Sequence, residues 1–474
     1  MVQLGVVMNR ARHILSFKAN AQYLTPAILF TGLLVIRLPG DLSPEGQRVL
    51  AVMGMAVALW ITQAFPLAVT GLLAMILLVL IRGVPNVETA LIGFSSPVAY
   101  FLIGVLALGL AAKKSGLAEQ AARVFMSKAQ GNPRLLFIQM IASFPVMAFL
   151  MPSATTRNAI LVHIYEKVLS TWHIPRGGPL AKSVMLSLGS LNRLASTALL
   201  TGGMVPVFAA SLLGGVEWFR WFLLLAVPYY TLLAVGGILL YLRYWRAFKV
   251  FPAEVVLSER RQWSVQETKV VAVLVIAALL WFTDSLHGLP PTVPALIALV
   301  LVLAPGTGVL SWSEFERDLG WSNFFVLATA VSLADALVQS GVADWLAAGI
   351  METVIPFKET PVFLVLVFMV ASSLVRVTIP NIEGYLALVF PVSISLAGGL
   401  GLNPLVCALA VMIAGDGAFF YPAQSASGVV VYTRGHVSGG GIFWFGVIMS
   451  LVAYATVLLV ALPYWAVVGE ALVS

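Results

Sequence analysis

The chain has 474 residues, 60% of them hydrophobic and only 10% charged, with a mean hydropathy of +0.98. Soluble domains run near half apolar and a quarter charged, so this composition argues against a soluble enzyme and places most of the chain in or against a lipid bilayer. The net charge of +7 does not point to nucleic acid, because the basic residues sort by loop.

With the N-terminus taken as cytoplasmic, nineteen of the 27 Lys and Arg fall in inside loops: Arg10, Arg12 and Lys18; Lys113, Lys114, Arg123, Lys128 and Arg134; Lys167, Arg176 and Lys182; Arg243, Arg246, Lys249, Arg260, Arg261 and Lys269; Arg317; and Arg434. Arg37, Arg48, Arg82, Arg220 and Lys358 fall outside. The excess reads as the positive-inside signal, with the C-terminus outside and the cell inner membrane as the expected location. One cysteine, Cys407, rules out a disulfide framework, and five scattered histidines show no metal-ligand spacing, so no metal or cofactor is expected.

In chain order, apolar runs recur from Tyr23 to Trp465 and count to about eleven spans. An N-terminal segment with the first span covers 1–47. A first repeat follows at 48–242, with a hairpin at 134–169 and a broken helix at 183–213. A basic cytoplasmic linker occupies 243–269. The second repeat, 270–474, carries a hairpin at 361–399 and a broken helix at 403–432.

The repeat is legible residue by residue. Leu59-Trp60-Ile61-Thr62-Gln63 is answered by Leu280-Trp281-Phe282-Thr283-Asp284, and Ser115-Gly116-Leu117-Ala118-Glu119 by Ser340-Gly341-Val342-Ala343-Asp344, about 225 positions later. Pro133 matches Pro361, and Met151-Pro152 matches Ile379-Pro380. The loop charges put Ser115-Gly116 inside and Ser340-Gly341 outside, so the halves are expected to be inverted. Inverted repeats with discontinuous segments at matching positions are the pattern of a secondary transporter with a midplane site.

Each half holds two discontinuities. The arm from Leu135 to Met151 is interrupted at Pro152-Ser153-Ala154-Thr155-Thr156, between basic flanks, and is read as a re-entrant hairpin from inside. Its copy is interrupted at Pro380-Asn381-Ile382-Glu383-Gly384 and is read as entering from outside. Backbone groups freed at such tips must line a cavity rather than face hydrocarbon. The second discontinuities, near Arg193 to Val205 and Asp416 to Gly428, are rich in Gly and polar residues. Broken helix ends there aim N–H dipoles at an anion and carbonyls at a cation.

This order of elements, with Trp60 to Leu80 (WITQAFPLAVTGLLAMILLVL), resembles the divalent anion/sodium symporter family of di- and tricarboxylate and sulfate carriers over nearly the whole chain. The resemblance implies an elevator-type transporter, with a scaffold of early and middle spans and a moving part of hairpins and breaks, assembled as a homodimer. The family's tips carry Ser-Asn-Thr. Here the aligned residues are Ser153-Ala154-Thr155 and Asn381-Ile382-Glu383, so Ala154 and Ile382 replace the two tip asparagines and Glu383 replaces a threonine. The matching break residues are Thr201 to Val205 and Gln424 to Gly428.

Ionisable groups at bilayer depth cost roughly 2.5–3.5 kcal/mol on insertion scales and usually face a cavity or a partner. Five occur here: Arg157, Arg193, Arg376, Glu383 and Asp416. Arg157, just past the first tip, suits bidentate capture of a carboxylate, sulfonate or sulfate, or a pairing with Glu383 that locks the two hairpins. Glu383 has three readings: structural partner of Arg157 or Arg376, ligand for a cationic amino group, or proton carrier. Asp416 is read as a coupling-ion or proton site. Asn192 and Arg193, with Arg376, are candidate gate or entrance residues. Ser153, Ala154, Thr155, Thr156, Asn158, Asn381, Ile382, Ser425 and Ser427 complete the candidate solute site. Trp218, Trp221, Trp245, Trp321 and Trp465 are read as interface anchors.

A membrane hydrolase is disfavoured, since Asp416 lacks a second motif-borne carboxylate and no Ser and His stand as nucleophile and base. A channel filter would need rings of short loops. The expected function is all-α, polytopic secondary transport of a small organic anion or zwitterion, coupled to protons or run as exchange. Sodium-coupled dicarboxylate symport and cation/proton antiport are the alternatives, with H+ or Na+ as coupling ion.

Overall fold

The computed structural model describes residues 22–127, 131–249, 262–306 and 308–473. Arg10, Arg12, His13, Lys18, Lys128, Arg260 and Arg261 lie outside the described residues. Those described form helices and connections with no strand. Eight helices are long and apolar enough to cross a bilayer, and four shorter apolar ones accompany them: Gln22–Val35, Leu67–Leu80, Thr292–Leu303 and Pro404–Gly417. At most 14 residues long, each of these four spans no more than about 21 Å of a roughly 30 Å hydrocarbon core.

Local chemistry sets the helix ends. Ser43 caps Pro44–Thr62, Asn132 caps Pro133–Leu150 and Asn403 caps Pro404–Gly417, each with proline in the first turn, where its missing N–H costs nothing. Ser264 and Glu267 form a capping box at Val265–Phe282, and Ser311 and Glu314 form another at Trp312–Asp318. The matched glycines Gly116 and Gly341 both adopt the left-handed conformation, at φ 82° and 74°, where Pro97–Ser115 and Trp321–Gln339 give way to their next helices.

The two halves repeat one order of elements. Pro97–Ser115 and Leu117–Ser127 correspond to Trp321–Gln339 and Val342–Val354. The hairpin of Pro133–Leu150 and Ala154–Thr171 corresponds to that of Pro361–Thr378 and Ile382–Leu400. In the first broken helix, Pro179–Leu186, a π-helical turn at Ser187–Leu191 and Asn192–Thr197 lead to the break, and Met204–Leu212 follows it. Its copy runs Pro404–Gly417, then Ala426–Tyr432. The first broken helix thus begins four residues before 183, at the Gly178-Pro179 start, and the chain opens at 198–203.

Contacts between halves are reciprocal. Leu67–Leu80 packs on Trp321–Gln339, and Thr292–Leu303 on Pro97–Ser115. Gly71 meets Thr329 so closely that a Cβ would collide with that side chain, and a Cβ on Gly104 would lie 2.5 Å from the Ala295 carbonyl oxygen. The 225-residue offset carries one contact onto the other to within a residue. Small residues at both crossings let backbones approach, as helix packing in lipid favours.

Three tryptophans correct the sequence reading. Trp218, Trp221 and Trp465 are buried in the core rather than anchored at an interface. Their indole N–H groups donate inward, Trp221 to the Thr197 carbonyl at 3.0 Å and Trp465 to the Leu224 carbonyl at 2.8 Å. Trp218 reaches the Thr201 hydroxyl at 3.4 Å. In a helix apolar on all sides, position alone does not separate a core tryptophan from an interfacial one.

Candidate functional site

Both hairpin tips and both breaks converge, tied by side-chain hydrogen bonds. In the first half, Arg157 sits one turn into Ala154–Thr171 and is fully buried. Its guanidinium donates to the Met151 carbonyl, to the side chain and carbonyl of Asn192, and to Ser196. Asn158 beside it donates to the Leu188 carbonyl at 2.9 Å and the Ser427 carbonyl at 3.0 Å, and accepts from Asn192. One turn of helix therefore fastens the first tip to both breaks.

The second half reaches the same end by a different residue. Arg376, in the last turn of Pro361–Thr378, donates to the carbonyls of Ile379, Pro380 and Gln424, the last at 3.2 Å. Gln424 returns a bond to the Arg376 carbonyl at 3.1 Å. Tyr385, at the position matching Arg157, donates to the Val411 carbonyl at 3.0 Å.

The breaks are joined by a buried ion pair. Arg193 pairs with the Asp416 carboxylate and also donates to its carbonyl, while Thr197 donates to the other carboxylate oxygen at 2.9 Å. The Arg193 guanidinium also lies 5.2 Å from the Phe419 ring centroid, a cation–π contact. Arg193 is a strut between breaks in this conformation, and Asp416 is its partner.

The Arg157–Glu383 pairing considered from sequence is not formed: among the described residues no ion pair includes either group. Arg157 spends its N–H groups on backbone and neutral side chains, of which Asn192 and Ser196 lie 35 and 39 positions away, beyond the reach of sequence reading. Among the described residues Arg376 likewise forms no ion pair. Glu383 is buried at the start of Ile382–Leu400, with its own backbone N–H as a donor.

The tips differ in exposure. Ser153 to Thr156 are half-buried, whereas Asn381, Ile382 and Glu383 are all buried. Ser153 caps its helix, accepting from the Thr156 N–H at 3.2 Å and its hydroxyl at 3.0 Å. The half-buried Gly203 to Val205, the start of the helix after the first break, lie beside it; a Cβ on Gly203 would sit 2.9 Å from the Pro152 carbonyl oxygen. Two helix N-termini thus meet at one accessible point, where partial positive charge favours an anion. Ser425 and Ser427 bond each other at 2.7 Å. At the second tip, Gly384 fits under the Trp60 ring and the Asn381 amide has no partner among the described residues. Trp60, Ser196, Thr197 and Tyr385 are not singled out as site residues by the sequence, which marks Trp60 only through the Leu-Trp repeat and Gln424 only as a break residue. Among the described residues no His, Cys, Asp or Glu cluster could hold a metal.

Apolar spanning helices around a polar, broken-helix centre define an integral membrane transporter rather than an enzyme. A family model, sodium:sulfate symporter transmembrane region, matches residues 18–471, and the chain belongs to that divalent anion/sodium symporter family. It is similar to a citrate/succinate antiporter of Escherichia coli K12, at 27% identity over 79% of each chain. It is also similar to a sodium-dependent dicarboxylate transporter of Staphylococcus saprophyticus, at 23% identity over 96% of this chain and 95% of that one. Its fold matches the crystal structure of the Alcanivorax borkumensis YdaH transporter at a TM-score of 0.56 and 14% identity, over 87% of this chain and 98% of that one.

Proposed function

We propose that this chain is a secondary transporter of a small organic anion or zwitterion, with the first tip as its entrance. The observation that carries the reading is the meeting of two helix N-termini at Ser153 to Thr156 and Gly203 to Val205, half-open and backed by the buried Arg157. Arg157 supplies charge from behind rather than a direct clamp. The names of the relatives, citrate, succinate and dicarboxylate carriers, agree with a carboxylate as the passenger.

Further parts of the proposal concern movement and coupling. The two halves run inverted, the hairpins re-enter from opposite sides, and the hairpins and breaks move together as an elevator within a homodimer in the cell inner membrane, N-terminus cytoplasmic. The Arg157, Asn158, Arg193 and Arg376 ties support such a unit, since they join both tips and both breaks. Glu383, buried and free of any ion pair among the described residues, is the proton carrier. Asp416 is held by Arg193 and serves the unit's rigidity, which weighs against cation/proton antiport.

Purified protein in liposomes, offered labelled succinate, citrate, sulfate, sulfonates and amino acids under separate sodium and proton gradients or with internal counter-solute, tests this. Uptake of an organic anion driven by a proton gradient or by exchange is expected, with Glu383→Gln removing the proton dependence. Strong sodium-dependent succinate uptake would establish the sodium-coupled reading instead.

A further inference from the structure

We propose a second binding site, for an organic cation with an apolar body, in a cleft of about 530 Å³ between the end of the first break and the loop after Phe282. That volume lies within the usual range for small ligands. Its walls include Phe101, Leu200, Val207 and the Pro290-Pro291 pair, and its ionisable lining residues are Asp284 and Glu217, with no basic residue.

The hydrogen-bonding character of the cleft selects the ligand. Asp284 is 4% exposed; one carboxylate oxygen accepts the Phe219 N–H at 3.2 Å, and the other is buried without a partner among the described residues. A buried acceptor left unpaired costs free energy that a ligand N–H would recover.

Several of the cleft's own donors are already committed. The Thr292 hydroxyl donates to the Pro97 carbonyl at 3.1 Å and the Ser211 hydroxyl to the Phe208 carbonyl at 2.6 Å, so both offer the cleft lone pairs only. The backbone N–H groups of Gly214, Gly215 and Gly288 are bonded to the carbonyls of Ser211, Ala210 and Asp284, and that of Leu289 to His287. Pro290 and Pro291 have no N–H to give. What remains is rich in acceptors, negative and apolar-walled, with the Phe101 ring to cover a cation. An arylalkylammonium ion meets these requirements.

None of Ser153 to Thr156 or Gly203 to Val205 lines the cleft, and its ligand bridges the first break to the starts of Pro97–Ser115 and Thr292–Leu303. Calorimetry and thermal melting of the purified full-length protein, with phenethylammonium as probe and 2-phenylethanol as its neutral isostere, test the site. The ammonium is expected to bind and to raise the melting temperature, and the alcohol is not. Asp284→Asn keeps an acceptor for the Phe219 N–H and is expected to weaken ammonium binding about tenfold or more. Glu217→Gln, at an exposed position, is expected to weaken it by a smaller factor, and it decides the matter alone if Asp284→Asn does not fold. Equal binding of the alcohol, ammonium affinity unchanged by the substitutions, or no ammonium binding at all would each overturn the proposal. Because binding is read on purified protein, such a failure would leave the transport reading standing.

Discussion

The Arg193–Asp416 pair offers a quantitative test of whether the two breaks behave as one unit. Their side chains are 11% and 3% exposed, and the residues stand 223 positions apart in sequence. At an effective dielectric near 20, unit charges about 4 Å apart attract by about 4 kcal/mol. Removing one partner of such a pair typically costs about 3–5 kcal/mol, because the other charge stays buried and uncompensated. Asp416→Asn strands Arg193 with a carbonyl and the Phe419 ring; Arg193→Met strands Asp416 among neutral groups, the Thr197 hydroxyl included. Each single variant should therefore be strongly destabilised, and the double variant much less than the sum. A double-mutant cycle read by denaturant titration in detergent should return a coupling energy of about 3–4 kcal/mol. Additive single effects would refute the strut, and with it the case that Asp416 is unavailable to a coupling ion.

Gly384→Ala places a Cβ 2.5 Å from the Trp60 ring and should destabilise by about 1–3 kcal/mol through overpacking, a cost that should vanish when the substitution is made in a Trp60→Ala background. Ser153→Ala removes the cap of Ala154–Thr171, should cost about 1 kcal/mol, and should raise the KM for the transported solute in liposomes; an unchanged KM would move the solute away from the first tip. Outside the spanning helices, the bond from Lys114, and after it the Ser311 cap, hold the Glu314 carboxyl down to about 2 from its ordinary 4.5. A lowered folded-state pKa means a contribution present above pH 4.5 and lost as pH falls toward 2. Glu314→Gln should flatten acid melting in that window alone.

Much of this architecture was legible because its signals are local. A proline at each arm start, a second at each interruption and Ser-Gly at matched helix ends act within a turn of where they stand, so the helix starts and stops at these points are readable from the residues alone. The first broken helix begins at Pro179 rather than at 183 because Lys182, counted from sequence as part of an inside loop, lies in its first turn. The site was legible only as a list of candidates. Which tip is reachable, and which arginine holds which carbonyl, depends on chains of contact between segments far apart in sequence.

Composition and periodicity thus determined by themselves that the chain lives in a membrane and that polar residues interrupt its apolar runs. Only the tertiary structure decided that Arg157 faces backbone rather than Glu383, that Asp416 is spent on Arg193, and that Trp218, Trp221 and Trp465 lie in the core. The physical reason is range. Helix starts, stops and apolar runs are short-range properties of neighbouring residues, while the partner of a buried charge is whatever the fold brings within about 3 Å of it.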